Sequence, residues 1–511
     1  MNTFLNEMTE DANYKLTENG GVAKKSTRSA VLDMFAMCGA YRSRSDDDCI
    51  FAFKKAIEEN MDLGLKCLFY LADCRGGQGE RRFFRVCFRW FANNYPMIAR
   101  ELVQYIPEYR RWDDVIYSCI GTPIESNALA LIKNQLVLDL DCVTPSLLAK
   151  WLPSENASSA ETKKMGGVIR KYLDMTHKQY RKTLSVLRSR INIVEKLMSE
   201  NRWDEIEFDK LPSKAGIIYK NAFARRDLIA QKYEAFAKDK NTKVNAGTLY
   251  PYEIVSKVIN SGRSYVGMRL SDTDKAMLEK YWENLPDYFG GKQSNMLCVV
   301  DTSGSMCGSE ASAPINVAIS LGMYCAERAG GPFKDHYISF SSKPRLIKIE
   351  GVDFADKVYR IYKTNLCQNT NLTGVFDMLL DVATRPGVKR TDVPSTIVVI
   401  SDMEIDSGAN GRSWYNYSDD GFTSWTKANA MTEMDKVRAK WAAAGLELPR
   451  LVYWNVQARQ DTILDAGPAV SFVSGMSPTI FQSIITRKNG YDLMLEALLK
   501  DRYEPIKSYL K

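Results

Sequence analysis

The stretch MLCVVDTSGSM (296–306) joins a short apolar run to a series of small polar residues. A continuous apolar run of this length, bounded by turn residues, is the pattern of a strand covered on both faces, so MLCVV reads as a buried strand of a parallel sheet. The chain beyond it continues in the same manner. HYISF (336–340), RLIKI (345–349), TIVVI (396–400), LVYWNV (451–456) and AVSFV (469–473) alternate with helical stretches near 312–329, 371–385, 426–444 and 491–509. In the first of these helices Ile315, Ala318, Ile319, Gly322, Met323 and Ala326 form the stripe of a helix laid on a sheet. The alternation predicts a doubly wound α/β domain. Ser341-Ser342-Lys343-Pro344, between two strand-like runs, predicts a hairpin at one edge.

Upstream of Gly290-Gly291 the period is different. Residues 26–285 are helical in pattern, with breaks at Gly76-Gly77, Pro107, Gly121, Pro145, Pro153, Pro212 and Pro251. Phe84, Cys87, Phe88 and Phe91 fall on one helix face, with Arg81, Arg82, Arg85 and Arg89 beside it. From His177 to Met198 the apolar positions Tyr180, Leu184, Leu187, Ile191, Val194 and Met198 step by four and three, which predicts one helix with a narrow buried seam and a basic face. No fixed-period repeat is present, so an α-helical repeat-like (HEAT-like) arrangement rests on helix density. The expected organisation is a flexible N-terminal tail over 1–25, a helical domain over 26–285 and the α/β domain over 286–511.

Composition narrows the function classes. At 511 residues the chain exceeds what one core usually serves. No apolar run is long enough to span a bilayer, and the N-terminal stretch is acidic and polar with no apolar core, so a cytoplasmic location is expected. The 11 cysteines contain no C-x-x-C pair and read as reduced core thiols. With only His177 and His336 available, a histidine-rich zinc site is excluded and a Ser/His/Asp triad would have to use one of these two. The net charge of +7 is unevenly spread: residues 161–190 carry nine basic and two acidic residues, whereas 291–511 is close to neutral. A concentrated positive stripe attracts polyanions.

Chemistry is concentrated directly after the first strand. Ligands of open α/β sheets bind beyond the carboxyl ends of the strands. Asp301, Ser303 and Ser305 form D-x-S-x-S there, placing one carboxylate and two hydroxyls within reach of one point. Thr370, before a helix, and Asp402, at the end of TIVVISD, occupy equivalent positions downstream. Oxygen-only donors of this kind suit a hard cation, Mg²⁺ or Mn²⁺. The plainer alternative is that Asp301 and the serines cap the following turn. Metal-assisted hydrolysis through Asp301 and Asp402 is a further alternative, but no catalytic residue is assigned and the chain reads as a non-enzyme.

On these residues the segment 286–511 resembles the von Willebrand factor A (vWA) domain with its metal-ion-dependent adhesion site. The resemblance implies that Asp301, Ser303 and Ser305 form the first ligand loop, Thr370 the second and Asp402 the third, and that a partner's acidic residue completes the metal shell. Many such domains have Gly after the third-loop aspartate, where this chain has Met403. The insertion from Asp406 to Ala428, rich in Gly, Ser, Asn and aromatics, is expected to overhang the site, either for partner recognition or as an ordered surface decoration with no role.

FYLADCRGGQGERRFF (69–84) has glycines that could cradle phosphate, but it lacks the P-loop pattern and follows no strand, leaving a turn between helices or a polyanion contact. With KWLP (150–153), YRKTLSVLRSRINIVEKLMSENRWDEI (180–206) and YKNAFARRD (219–227), it resembles an uncharacterised family related to the TROVE module of Ro ribonucleoproteins, in which a ring of helical repeats precedes a vWA domain. That resemblance implies RNA binding on the helical part. The candidate contacts are Lys178, Arg181, Lys182, Arg188 and Arg190, with Arg75, Arg81, Arg82, Arg85 and Arg89. The expected function is a non-enzymatic RNA-binding scaffold whose vWA domain takes a divalent cation and a protein partner. The alternative is a protein–protein assembly or adhesion factor acting only through the metal site.

Overall fold

The computed structural model describes residues 13–17, 22–191, 194–247, 249–262, 270–340, 343–364, 371–404, 433–464, 469–485 and 488–508. Each short apolar run of the second half is a strand: β3 (Met296–Asp301), β4 (His336–Phe340), β5 (Arg345–Lys348), β6 (Thr396–Ser401), β7 (Arg450–Asn455) and β8 (Val470–Ser474). They form one sheet in the order β5-β4-β3-β6-β7-β8. All neighbours are parallel except β4 and β5, the predicted edge hairpin. Every residue of β3 and β6 is buried, as their unbroken apolar sequences require. The predicted stripe helix is Pro314–Arg328. It approaches β3 so closely that a Cβ on Gly322 would lie 2.3 Å from Val300 Cγ2, which explains glycine inside a helix there.

The chain divides into two compact units, one of residues 1–45 with 249–500 and the other of 46–248 with 501–511. This division differs from the expected boundary at 285. Residues 30–40 belong to the sheet unit because their backbone joins it: Ser474, closing β8, donates through its hydroxyl to Phe35 O at 3.1 Å and accepts from Gly39 N at 3.0 Å. The helices Pro251–Gly262 and Asp272–Glu283 also belong there. Trp282 lies 4.9 Å from the Phe354 ring and donates to Glu327 at 2.6 Å.

Part of the segment expected as a flexible tail is paired. Tyr14–Leu16 (β1) pairs antiparallel with Val22–Lys24 (β2), and Lys24 exchanges two backbone hydrogen bonds with Ile463, at 2.7 and 2.9 Å. Polar composition suggested a solvated segment, but backbone pairing needs no apolar side chains. At the other end, the helix expected near 491–509 stops at Leu498. The following turn, Asp501–Tyr503, belongs to the helical unit, where Arg502 and Tyr503 both bond to the buried carboxylate of Asp73.

Within the helical unit, Phe53, Phe69, Phe84, Phe88 and Phe91 make one aromatic core, with Phe84 and Phe88 stacked at 5.4 Å. A second core gathers Ile132, Leu136, Leu148, Ile169, Tyr180, Leu184, Leu187 and Ile191. The predicted seam is buried from Tyr180 to Val194, with Met198 half-buried, and it is carried by two helices. His177–Arg190, opened by a Thr176/Gln179 capping box, ends where Ile191 turns extended, and Val194–Ser199 is separate. Among the described residues no helix is long and apolar enough to cross a membrane.

Candidate metal centre and basic surface

The chain runs from β3 to β4 on one side and later to β6 on the other, so the carboxyl ends of β3 and β6 flank the point where the strand order reverses. The β3/β6 register pairs Val300 with Ile400, which brings Asp301 beside Ser401. Ser401 Oγ donates to Asp301 Oδ2 at 2.5 Å. Asp301 Oδ1 accepts from Ser303 N at 2.9 Å, turning the chain back so that Ser303 Oγ lies 2.9 Å from Ser305 Oγ. Ser305 in turn hydrogen-bonds to Asp402. The first and third sequence-predicted loops are therefore brought together at one place.

Both carboxylates are out of water. Burial, then the neighbouring Asp402 charge, pushes the Asp301 carboxyl up to about 7. Burial raises Asp402 as well, opposed first by Arg459, whose Nη2 lies 2.8 Å from Asp402 Oδ2. Met403, at the position where the resemblance led us to expect Gly, is in the left-handed region at φ 65°. That backbone conformation gives a physical reason for glycine at the position. Glu404 N bonds back to Asp402 Oδ1 at 3.3 Å, and the Glu404 carboxylate is buried and accepts from Thr462.

Two buried carboxylates and two hydroxyls, all oxygen donors, fit a hard divalent ion. A cation, Arg459, stands beside them and pairs with Asp402. Thr370 lies outside the described residues, as does the insertion 406–428; Asn371, which follows Thr370, caps the helix Leu372–Ala383 by accepting from Gly374 N at 2.8 Å. Sequence reading missed Ser401 and Arg459. Ser401 was accessible as the residue before Asp402, whereas Arg459 is 57 positions away and has no local signal.

Neither histidine is at this centre. His336 opens β4 at its amino end, bonded to Lys334 O at 2.7 Å. His177 is exposed and lies 2.8 Å from Glu155 in the helical unit.

The ten arginine and lysine candidates separate into two groups. Arg81 and Arg85 both reach Asp113 and Asp114, joined there by Arg110 and Arg111. Arg82 pairs with Asp46, and Arg89 donates to Ile120 O at 2.8 Å. Arg188 donates to Ala149 O, Leu152 O and Ser154 Oγ at 2.8–3.0 Å, and Arg190 to Leu140 O at 2.7 Å. These side chains serve first to close the helical unit on itself. Arg75, Lys178, Arg181 and Lys182 are exposed, as is Arg190 despite its bond to Leu140 O, and Lys178, Arg181 and Lys182 share the outer face of one helix. Lys163, Lys164 and Lys171, on the preceding helix Ala160–Tyr172, are exposed too.

The glycines of 69–84 are structural. A Cβ on Gly77 would lie 1.9 Å from Tyr70 O, because the loop folds back on the helix Met61–Ala72 to make Gln78 N→Tyr70 O and Glu80 N→Leu71 O bonds of 3.1 and 2.7 Å. Of the two readings left open for this loop, the turn between helices accounts for its glycines.

Comparison with known proteins gives two matches to family models, both described as domains of unknown function: DUF2828 over residues 17–107 and 139–289, and DUF7788 over residues 295–502. The chain is 28% identical to the uncharacterized protein L728 of Acanthamoeba polyphaga mimivirus, over 95% of this chain and 87% of that protein. Among solved structures, it is similar to the RO (RSR) protein of Deinococcus radiodurans, with a TM-score of 0.47 and 13% identity, covering 90% of this chain and 99% of that one.

Proposed function

We propose that this protein is a non-enzymatic RNA-binding scaffold with two working surfaces. The α/β unit acts as a vWA-like module that binds Mg²⁺, or Mn²⁺ in its place, and recruits an acidic residue of a protein partner to complete the ion's shell. The helical unit binds RNA through its basic helices, as a TROVE-like module would. The observation that carries the reading is the buried pair Asp301 and Asp402 at the reversal of strand order, joined to Ser303 and Ser305 by a continuous set of hydrogen bonds. Two carboxylates are brought out of water with less than two compensating charges, an arrangement that favours a divalent ion.

On the helical unit the support is electrostatic. Lys163, Lys164, Lys171, Lys178, Arg181 and Lys182 are exposed on two successive helices, opposite the core formed by Ile169, Tyr180, Leu184 and Leu187. Phosphate contacts from such a surface are strong at low salt and largely indifferent to base sequence. The assembly-factor alternative draws on a specific observation: Arg81, Arg82, Arg85, Arg89 and Arg188 are committed to internal partners, which reduces the basic surface open to RNA.

Two measurements test the reading. Mn²⁺ titration followed by electron paramagnetic resonance is expected to show one tight site in the parent chain and none in Asp301→Ala; equal affinity in both would refute the metal centre. Filter binding of a structured RNA at low salt is expected to weaken when Lys178, Arg181 and Lys182 are replaced together by Gln. Absence of RNA retention by the parent chain would leave the assembly-factor reading.

A further inference from the structure

We infer that Arg459 is a built-in competitor for the metal centre: its guanidinium occupies Asp402 when no divalent ion is bound, and an arriving ion must displace it. The inference rests on the metal reading above and adds a residue that sequence motifs do not assign. Arg459 Nη2 lies 2.8 Å from Asp402 Oδ2, and the two differ sharply in exposure, 29% for the arginine side chain against 0% for the aspartate. The guanidinium can therefore turn into water while the carboxylate stays buried.

The backbone beneath Arg459 is held separately from Asp402. Ala458 N donates to Ala40 O at 3.1 Å, and Arg44 Nη1 donates to Arg459 O at 3.0 Å. Tyr41 bonds to Asp461, and Arg44 lies 3.2 Å from the same carboxylate. Displacement can consequently proceed by a change of side-chain rotamer while the loop backbone keeps these bonds. A released guanidinium would stand at the rim of the centre, where it can meet the carboxylate of an incoming partner in a charge-assisted bond. Arg459 in this role is a positioning and selectivity residue. It makes a monovalent ion a poor occupant, because exchanging one unit charge for another at Asp402 gains little, whereas a divalent ion gains charge.

The test uses the full chain and Mn²⁺ as the probe. Arg459→Gln is expected to tighten Mn²⁺ binding by about tenfold, the effect of removing one charge-assisted hydrogen bond that the ion must otherwise break. In the parent, phenylglyoxal labelling of Arg459, read by mass spectrometry, is expected to rise when Mn²⁺ is added, and Asp301→Ala is expected to abolish that rise. This second readout needs no substitution at Arg459 and separates displacement from simple charge repulsion. Mn²⁺ binding to the parent with unchanged labelling, or with equal or weaker affinity in Arg459→Gln, overturns the competitor role while leaving the metal centre intact. Failure of both parent and Arg459→Gln to bind Mn²⁺ removes the metal reading and the competitor role together.

Discussion

Ser401 donates its hydroxyl to Asp301 across 2.5 Å, from the strand β6 to the strand β3. Three neighbouring apolar register pairs, Cys298–Val398, Val299–Val399 and Val300–Ile400, hold those two residues side by side. The polar centre is thus positioned by the least polar part of the molecule. Shifting the register by one residue would place an inward side chain outward and separate Ser401 from Asp301.

Replacing Ser401 by Ala is expected to weaken Mn²⁺ binding about 10- to 100-fold without unfolding the chain, the usual effect of removing a group that orients a ligand. Calorimetric titration beside a thermal melt separates the two effects. Unchanged affinity would mean that Asp301 is oriented by Ser303 N alone.

In the absence of divalent ion, stability is expected to fall as pH rises from near 4 to about 7. Asp301 has its folded-state pKa raised from 3.8 to about 7, principally by burial, so the folded protein binds the extra proton in that window and loses the advantage as the proton leaves. Urea denaturation at several pH values checks this, with Asp301→Asn expected to remove most of the slope. A stability that rises through the same window in parent but not in Asp301→Asn would contradict the burial of a protonated Asp301.

Gly77→Ala is expected to destabilise the helical unit by about 3 kcal/mol, since the added Cβ has backbone rather than a movable side chain against it. A urea midpoint within error of the parent would show that the loop has room to shift. RNA retention per folded molecule should not change, because the loop's role is to close a helix.

Arg502→Ala is expected to cost about 2–4 kcal/mol, because it leaves the buried carboxylate of Asp73 with Tyr503 and local backbone as its remaining hydrogen-bond partners. The loss should be smaller in an Asp73→Asn background. Equal losses in the two backgrounds would show that the pair is not coupled.

Replacing Lys178, Arg181 and Lys182 together by Gln is expected to lower the slope of log affinity against log salt by about 2 for single-stranded RNA. Arg188→Ala is expected instead to lower thermal stability, because its guanidinium bridges Ala149, Leu152 and Ser154. A salt slope that responds to Arg188 but not to the exposed trio would reverse the assignment.

The fold was legible where burial is symmetric. Strands β3, β6, β7 and β8 are covered on both faces and read as continuous apolar runs; the edge hairpin read from its turn residues. Asp301, Ser303, Ser305 and Asp402 were legible because they follow strands directly, so that strand position fixes their place. The internal pairing of Arg81 and Arg85 was not legible, since charge along a sequence does not record that Asp113 and Asp114 lie opposite them. The composition of the units was also hidden, because residues 22–24 and 501–503 join their units through backbone bonds and single polar side chains, which have no periodic signature.

By itself the sequence determined the two classes of architecture, the order of the strands along the chain, the concentration of charge on the helical part and the oxygen-rich character of the centre after β3. Tertiary structure alone decided the lateral order of strands that sets Asp301 beside Ser401, the pairing of Arg459 with Asp402, and which basic side chains stay exposed. The reason is one of range: local periodicity records which face of an element is buried, while ion pairs between residues tens or hundreds of positions apart depend on how the elements are assembled.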